Sequence, residues 1–291
     1  MSTVPRLPHP AVHAAGDIGH CGPLTNGLHC RMRIATWNVN SIKQRMDNIL
    51  AWLADRQPDI ACLQETKCVD EAFPRAGFEA LGYNVAVHGQ KAFNGVAILS
   101  KTPFDEVTPR LPGDDDDMHA RFLEAVVSTN GGIVRVATIY LPNGNPPDGE
   151  KYSYKLKWMK RLYDYSRERL ALEEPLVMAG DYNVIPTAND ARNPAAWLGD
   201  ALYLPRTREK FCSLCNLGLA DAVRAGSDQG GLYTFWDYQA GAWPKNDGIR
   251  IDHILLSPQA ADRLVKATID QHVRGWEKPS DHVPVMVDLA V

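Results

Sequence analysis

The sequence predicts an α/β fold in which layers of β-sheet are faced by helices. Strand-like and helix-like runs alternate along the chain without a linker rich in Gly or Pro, which favours one domain. The strand-like runs 122–128 and 133–140 flank the turn residues Asn130, Gly131 and Gly132. This spacing indicates a hairpin, and therefore antiparallel pairing in at least part of the sheet.

The first three elements follow Met32. Residues 33–39 alternate with aromatic and β-branched side chains, which predicts a strand. Ser41 suits the N-cap of a helix whose apolar positions fall at helical spacing: Ile42, Met46, Ile49, Leu50 and Leu53. Pro58 ends that helix, and residues 59–64 form a short apolar strand.

The later elements repeat this alternation. A stripe of Tyr154, Trp158, Leu162 and Tyr165 predicts a second helix, and residues 207–217 predict a third. The remaining strand-like runs are short and apolar, and they cover residues 95–99, 122–128, 133–140, 176–179, 251–256 and 283–287.

Composition narrows the class of protein. The 291 residues are 45% hydrophobic and 23% charged, as in an ordinary globular chain. No apolar run approaches the roughly 20 residues of a membrane-spanning helix. The balance of 31 basic against 35 acidic residues disfavours a strongly basic nucleic-acid binder, although local charge decides such binding. The spacing of the six cysteines does not suggest a secreted disulfide framework, which favours the cytoplasm.

Residues 1–31 differ from the rest of the chain. They are rich in Pro, Gly and His, lack periodicity and precede a second methionine, Met32. We expect them to be a disordered leader, with one catalytic domain over residues 32–291. Translation from Met32 is a further expectation, which mass spectrometry of the native protein would test.

Polar side chains follow the ends of several predicted strands. Strand ends meet at one edge of a sheet, so residues remote in sequence can come together there. Their carboxylate and amide oxygens are ligands that Mg²⁺ or Mn²⁺ prefers, whereas a thiolate or clustered-histidine zinc set is missing from this group. The residues are Asn38, Asn40, Glu65, Tyr140, Asn143, Asp181, Asn183, Asp252, Asp281 and His282.

These residue types suit phosphodiester hydrolysis. A metal on Glu65, helped by Asn38 and Asn40, would neutralise the phosphate, and Asp181 would orient or deprotonate water beside Asn183. His282 held by Asp252 would donate to the phosphate, as would the phenol of Tyr140. Each residue also has an ordinary alternative role, as a surface carboxylate, a turn residue, a backbone cap or a packed side chain.

Eight segments in this order resemble the exonuclease III family of abasic-site endonucleases, within the endonuclease/exonuclease/phosphatase superfamily. The resemblance covers the chain from Met32 to its end. Ser280-Asp281-His282 and Gly180-Asp181-Tyr182-Asn183 are shared across the superfamily. More specific are Leu63-Gln64-Glu65-Thr66-Lys67 and Phe235-Trp236-Asp237-Tyr238. The other four segments are Trp37-Asn38-Val39-Asn40, Leu81-Gly82-Tyr83-Asn84, Tyr140-Leu141-Pro142-Asn143 and Arg250-Ile251-Asp252.

The resemblance implies a DNase I-like, four-layer α/β sandwich with two central mixed, largely antiparallel sheets flanked by helices. It implies a Mg²⁺-dependent DNA repair enzyme, active as a monomer, for which Mn²⁺ would substitute. Its partner would be double-stranded DNA with abasic sites or blocked 3′ ends. The enzyme would incise 5′ to an abasic site, degrade ends from 3′ to 5′ and trim 3′-blocking groups.

Roles follow by position in the matching segments. Glu65 would be the principal metal ligand, with Asn38 beside it, and Asp281 would lie at the metal side. Asp181, Asn183 and His282 would serve both the metal site and catalysis, and Tyr140 and Asp252 would complete the catalytic set. Asn40, Lys67 and Asn143 would bind the DNA backbone.

Three apolar residues resemble the lining of the family's pocket for the abasic sugar: Phe235, Ile249 and Ile251. Ile249 departs from relatives that carry tryptophan here. We expect the smaller side chain to loosen the pocket and to change the balance between abasic incision and exonuclease activity. The alternative is that all three are core strand residues.

Two other functions compete with this interpretation. A phosphatase or phosphodiesterase acting on non-DNA phosphoesters would share Glu65, Asp181, Asp252 and His282. The segments 63–67 and 235–238 favour DNA instead. A non-catalytic DNA-binding module would tolerate loss of the catalytic acids, yet all of them are present.

Overall fold

A computed structural model describes residues 31–129 and 131–291, and the leader predicted for residues 1–31 lies outside them up to residue 30. The strands in these residues are β1 Arg31–Asn38, β2 Ile60–Gln64, β3 Asn84–His88, β4 Val96–Ser100, β5 Glu106–Pro109, β6 Phe122–Thr129, β7 Gly132–Tyr140, β8 Leu176–Asp181, β9 Ala220–Asp221, β10 Asp252–Leu256, β11 Leu264–Ile269 and β12 Val285–Ala290. They form two six-stranded sheets, in the orders β11-β12-β1-β2-β4-β3 and β5-β6-β7-β8-β10-β9.

Within the described residues, six helices cover the sheets. The long ones are α1 Met46–Arg56, α3 Glu150–Leu170 and α4 Pro205–Asn216. The short ones are α2 Arg75–Glu79, α5 Ala222–Gly226 and α6 Pro258–Ala261. Short 3₁₀ turns span Asp70–Ala72, Ala188–Asp190, Pro194–Trp197 and Gln271–Gly275. In the part of the chain that the structure describes, no helix has the length and apolar character to cross a membrane.

Both sheets are mixed and largely antiparallel. β1 pairs with β2, and β7 with β8, in parallel, whereas the other pairings are antiparallel. The predicted hairpin is confirmed, because Ser128 pairs with Ile133 and Phe122 with Ile139. The predicted four-layer sandwich of two mixed sheets flanked by helices is likewise confirmed.

The alternation of side chains along each central strand explains the layers. In β1, Ile34 faces the core between the two sheets, whereas Trp37 packs with Trp52 of α1 on the outer face. In β8, Val177 faces the intersheet core and Met178 packs under α3 and α4. Because both faces of β8 are covered, its sequence reads as an apolar run rather than as an alternating one.

The predicted N-cap at Ser41 is wrong. Helix α1 begins at Met46, and Arg45 occupies the N-cap position without a side-chain cap. The backbone N–H of Ser41 instead donates to the carbonyl of Glu65 at 2.8 Å, and Ile42 bonds Thr66 at 3.2 Å. These bonds attach residues 41 and 42 to the loop after β2, so the helix begins later in the sequence than predicted. Ile42 is nevertheless fully buried, as its apolar position indicated.

Candidate active site

The ends of both sheets meet at one edge of the sandwich. Asn38 is the last residue of β1, and Glu65 follows β2 in the same sheet. In the other sheet, Asp181 at the end of β8 pairs with Tyr140 of β7 and with Asp252 of β10. The prediction that strand ends assemble a site is therefore supported by the geometry, with the difference that two sheets contribute rather than one.

Gly180 makes this close arrangement possible. A Cβ atom at residue 180 would lie 2.0 Å from the carbonyl oxygen of Ile139, so no larger residue fits between β7 and β8 without a backbone shift. The Gly-Asp pair at the end of β8 is thus more than a turn signal, because the glycine lets β7 lie against the strand that carries Asp181.

Asn38 links the carboxylates of the two sheets. Its Nδ2 donates to Glu65 Oε1 at 2.8 Å and to Asp181 Oδ2 at 2.9 Å, while its Oδ1 accepts from the backbone of Asn40 at 3.0 Å. The nitrogen, not the oxygen, therefore faces the carboxylates. In this arrangement Asn38 acts as a hydrogen-bond donor that holds the carboxylates of Glu65 and Asp181 together. Its role as a metal ligand remains a prediction.

His282 lies between two aspartates. Its Nδ1 is 2.9 Å from Asp252 Oδ2, and its Nε2 is 3.8 Å from Asp181 Oδ2. Burial lowers the pKa of His282, but the charges of Asp252 and Asp181 outweigh burial and raise it. Burial raises the pKa of Asp181, and His282 only partly opposes it. His282 therefore keeps its proton more readily than a free imidazole, and Asp181 loses its proton less readily than a free carboxyl.

Glu65 and Tyr140 complete the cluster on its open side. Burial raises the pKa of Glu65, but Lys67, whose Nζ lies 2.8 Å from Oε2, and Asn38 together hold that pKa below its usual range. Burial, followed by the charges of Glu65 and Asp181, raises the pKa of Tyr140 well above its ordinary value. Glu65 is therefore an anion and Tyr140 a protonated donor.

The predicted backbone-binding residues lie around this cluster. Asn40 donates to Asp281 Oδ1 at 3.0 Å and accepts from Lys67, which places Asp281 at the Glu65 side. Asn143 donates to Asn183 Oδ1 at 3.2 Å, and the backbone of Asn183 donates to Asp181 Oδ1 at 2.9 Å.

The donor set fits a hard divalent cation. Ligand atoms of Glu65, Asp181 and His282 all lie within 4.8 Å of one another. Two of these residues are carboxylates, and the carboxylate of Asp281 is connected to them through Asn40 and Lys67. A cluster with this much oxygen suits Mg²⁺ or Mn²⁺ better than zinc.

Of the predicted pocket residues, Phe235 lies beside His282. The ring of Phe235 meets the His282 ring edge-on, with 5.0 Å between centroids. Phe235 and Ile249 pair through their backbones, and Ile251 is buried in the same apolar cluster. A groove of about 430 Å³ opens here, which we name the acidic groove. Its apolar side is Trp197, Phe235 and Ile249, and its polar side includes Asp200, Asp237 and Asp247.

Sequence reasoning gave no role to the charged residues behind the site. Arg250, 1% exposed, bonds Asp190 and Asp221 at 2.7 Å each, and so fixes the segment that carries Ile249 and Asp252. Lys155, fully buried, donates to the carbonyl of Asn143 at 2.9 Å. The sequence could have indicated that Lys155 is buried, because position 155 falls within the apolar stripe of α3.

A family model described as the Endonuclease/Exonuclease/phosphatase family matches residues 35–282. Exodeoxyribonuclease III of Haemophilus influenzae is 34% identical over 89% of this chain and 100% of its own length. Among solved structures, an AP endonuclease from Archaeoglobus fulgidus has a TM-score of 0.84 at 36% identity, covering 89% of this chain and 100% of that one. The 3′ phosphatase NExo from Neisseria, bound to a product DNA hairpin, has a TM-score of 0.85 at 37% identity, covering 89% and 99%.

Proposed function

The chain belongs to the endonuclease/exonuclease/phosphatase family, and on that premise we propose that it is a Mg²⁺-dependent DNA repair nuclease. Its substrate would be double-stranded DNA, which it would incise 5′ to abasic sites, with 3′-to-5′ exonuclease and 3′-end trimming activity. The relatives named above support this proposal. Action as a monomer in the cytoplasm, with Mn²⁺ able to replace Mg²⁺, is part of it.

The observation that carries the proposal is the Glu65, Asp181 and His282 cluster, held across the two sheets by Asn38. Glu65 and Asp181 would hold the cation, with Asp281 beside them. When bound there, the cation would supply positive charge to the phosphate and to the leaving oxygen. This donor set supports a hydrolytic function over a purely DNA-binding one, because binding alone does not need a buried acid and base pair.

The protein's own residues would divide the remaining work. Asp181 would orient the attacking water and accept its proton, and Asn183 would steady the transition state. His282, oriented by Asp252, would donate from Nε2 to a phosphate oxygen, and Tyr140 would donate from its phenol to a second oxygen. Asn40, Lys67 and Asn143 would bind the flanking phosphates, while Phe235, Ile249 and Ile251 would line the sugar pocket.

The test uses a duplex with one central tetrahydrofuran abasic analogue, labelled at its 5′ end. We expect one cut 5′ to the analogue with Mg²⁺, no cut with EDTA and none with Asp181→Ala. Asp228→Ala, at an exposed loop aspartate, is the matched control. A ladder from the 3′ end alone would make the enzyme chiefly an exonuclease. Absence of any cleavage would favour a phosphatase acting on non-DNA phosphoesters.

A further inference from the structure

A second groove lies on the outer face of the molecule, between helices α3 and α4. Residues of α3 from Ser153 to Tyr163 form one side, and residues of α4 from Arg206 to Asn216 form the other. Two adjoining cavities of about 530 Å³ and 330 Å³ make up the groove, since Lys160 and Lys210 line both. We name it the basic groove.

The basic groove is separate from the catalytic cluster. Lys155 of α3 is buried and donates to the carbonyl oxygens of Asn143 and Asn183, at 2.9 Å and 2.6 Å, so its side of the helix is turned toward the cluster. Lys157 and Lys160 are exposed and lie about half a turn round the helix from Lys155. The groove and the cluster therefore lie on opposite sides of α3.

The groove concentrates positive charge on a chain whose net charge is −4. Among the described residues that line it, Asp114 is the one acidic residue. Three of its cations, Lys157, Arg206 and Lys210, have no side-chain hydrogen bond or ion pair within the described part of the chain. Like charges around one groove repel one another, so a bound anion would be stabilised there. The cations are Lys157, Lys160, Arg161, Arg206 and Lys210.

One end of the groove holds an acidic segment of the chain itself. Arg161 Nη1 lies 2.7 Å from Asp117 Oδ2, and its Nε donates to the carbonyl oxygen of Pro112 at 2.9 Å. Asp114 lines the groove, and the residues between Asp114 and Asp117 are exposed acids. An acidic stretch of polypeptide therefore fits against the α3 wall through both its carboxylates and its carbonyl oxygens.

The floor of the groove is apolar. Buried Leu156 and Met159 and half-buried Tyr163 line it below the cations. A phosphate backbone has no apolar side chains to cover such a floor, whereas an amphipathic acidic helix has both kinds of group. The α4 wall is 12 residues long, or roughly 18 Å, which matches a helix of about three turns. Helical peptides bind such grooves through their apolar faces.

We propose that the basic groove is a docking site for an acidic, amphipathic helix of a partner protein. The apolar side chains of that helix cover the floor, and its carboxylates pair with Lys157, Arg206 and Lys210. The inference goes beyond the proposed nuclease function, because a partner docked on the outer face leaves the strand ends open to substrate.

The test uses a fluorescein-labelled peptide built from repeats of Glu-Ala-Leu-Glu and matched in length to α4. Its binding to the full chain is measured by fluorescence anisotropy. We expect saturable binding, although both molecules carry net negative charge. Two matched peptides, with Gln for Glu or with Ser for Leu, should bind at least about ten-fold more weakly, because each lacks one of the two kinds of contact.

A triple variant, Lys157→Gln with Arg206→Gln and Lys210→Gln, should weaken binding of the Glu peptide about ten-fold, because three exposed ion pairs are lost. Its incision of the abasic duplex should stay near the wild-type rate, since none of the three residues touches the catalytic cluster.

The charge-matched control removes the same number of exposed cations elsewhere, at Arg31, Lys101 and Lys266. None of these lines the basic groove, so Arg31→Gln with Lys101→Gln and Lys266→Gln should bind the peptide like the wild type.

The other outcomes would overturn the inference. No binding, or equal binding of the three peptides, would mean that the groove does not recognise an acidic amphipathic helix. An equal loss in the control variant would reduce the contact to a general effect of charge. Tighter binding of an oligo-dT strand that is lost in the triple variant would make the groove a nucleic-acid site. Slower incision by the triple variant alone would place the groove in the track of the nuclease substrate.

Discussion

The catalytic cluster and the acidic groove are neighbours built in different ways. The cluster lies at strand ends of two sheets, and Asn38, Asp181, Asp252 and His282 are almost wholly buried and bonded to one another. The groove is made largely by loops and a 3₁₀ turn, and two of its carboxylates, on Asp237 and Asp247, are exposed. The residues of the proposed chemistry are thus held by the sheets, whereas the groove lies in segments that can change without disturbing them.

Both regions contain residues in a costly backbone conformation, with Ala240 of the groove at φ 54°. Glu65 and Lys67 have φ values of 54°, in the left-handed region that disfavours residues with a Cβ. Each such residue costs about 1–2 kcal/mol, a cost that persists only where the surroundings enforce it. Here the backbone bonds from Ser41 to Glu65 and from Lys67 to Asn94 enforce the conformation.

The largest expected effect of a single change lies in the cluster. Asp181→Asn removes the group proposed to accept a proton from water, so kcat should fall about 10³-fold. The same change should raise the free energy of unfolding of the metal-free protein at neutral pH. Because burial raises the pKa of Asp181 above its unfolded value, its ionisation destabilises the folded state as pH rises. Asp228→Asn is the control.

Steady-state kinetics and urea unfolding would check both parts. Reduced activity together with reduced stability would mean that Asp181 is a structural residue and would weaken the contrast between the two regions.

The second prediction concerns the ion pair between Asp221 and Arg250, which supports both the catalytic cluster and the acidic groove. Asp221→Asn should lower the free energy of unfolding at pH 7 by about 3 kcal/mol, because it breaks a buried ion pair with Arg250. Burial raises the pKa of Asp221, but Arg250 outweighs it and holds the pKa below its ordinary value of 3.8. This contribution to stability is therefore present above pH 3.8 and lost as pH falls below it.

Urea unfolding between pH 3 and pH 7 would measure that change. The difference between the wild type and Asp221→Asn should shrink toward acid pH. A difference that stays constant with pH would mean that the ion pair does not account for the effect. Asp262→Asn, at a more exposed aspartate, is a suitable control.

The third prediction tests the link between the two sheets. Asn38→Leu keeps the side-chain size but removes the donors that hold Glu65 and Asp181 together. The Mg²⁺ concentration for half-maximal activity should rise about ten-fold, at the lower end of the range for residues that orient ligands. A Mg²⁺ titration checks this, with Asn48→Leu on α1 as the control. An unchanged half-maximal concentration would contradict the role of Asn38 in holding the carboxylates.

The sequence predicted the cluster better than the groove, for a physical reason. Glu65, Asp181 and His282 follow apolar strands, and strand ends converge in any layered fold. Trp197 and Asp200 lie in a segment whose position depends on contacts with Phe235 and Ile249, which no local pattern reveals. Edge strands β5 and β11 were missed because they are partly exposed and lack an apolar run.

The smallest expected effect sharpens the comparison most. Ile249 is 2% exposed and forms the wall between the apolar cluster and the acidic groove. Ile249→Trp would push a larger ring into the groove, which should reduce removal of unpaired dC relative to abasic incision by about five-fold, or just under about 1 kcal/mol of discrimination. Both rates would be measured on one preparation, with Ile269→Trp, at a half-buried strand position away from the groove, as the size control. An unchanged ratio would mean that the groove wall does not select the substrate, and that selection lies with the strand ends after all.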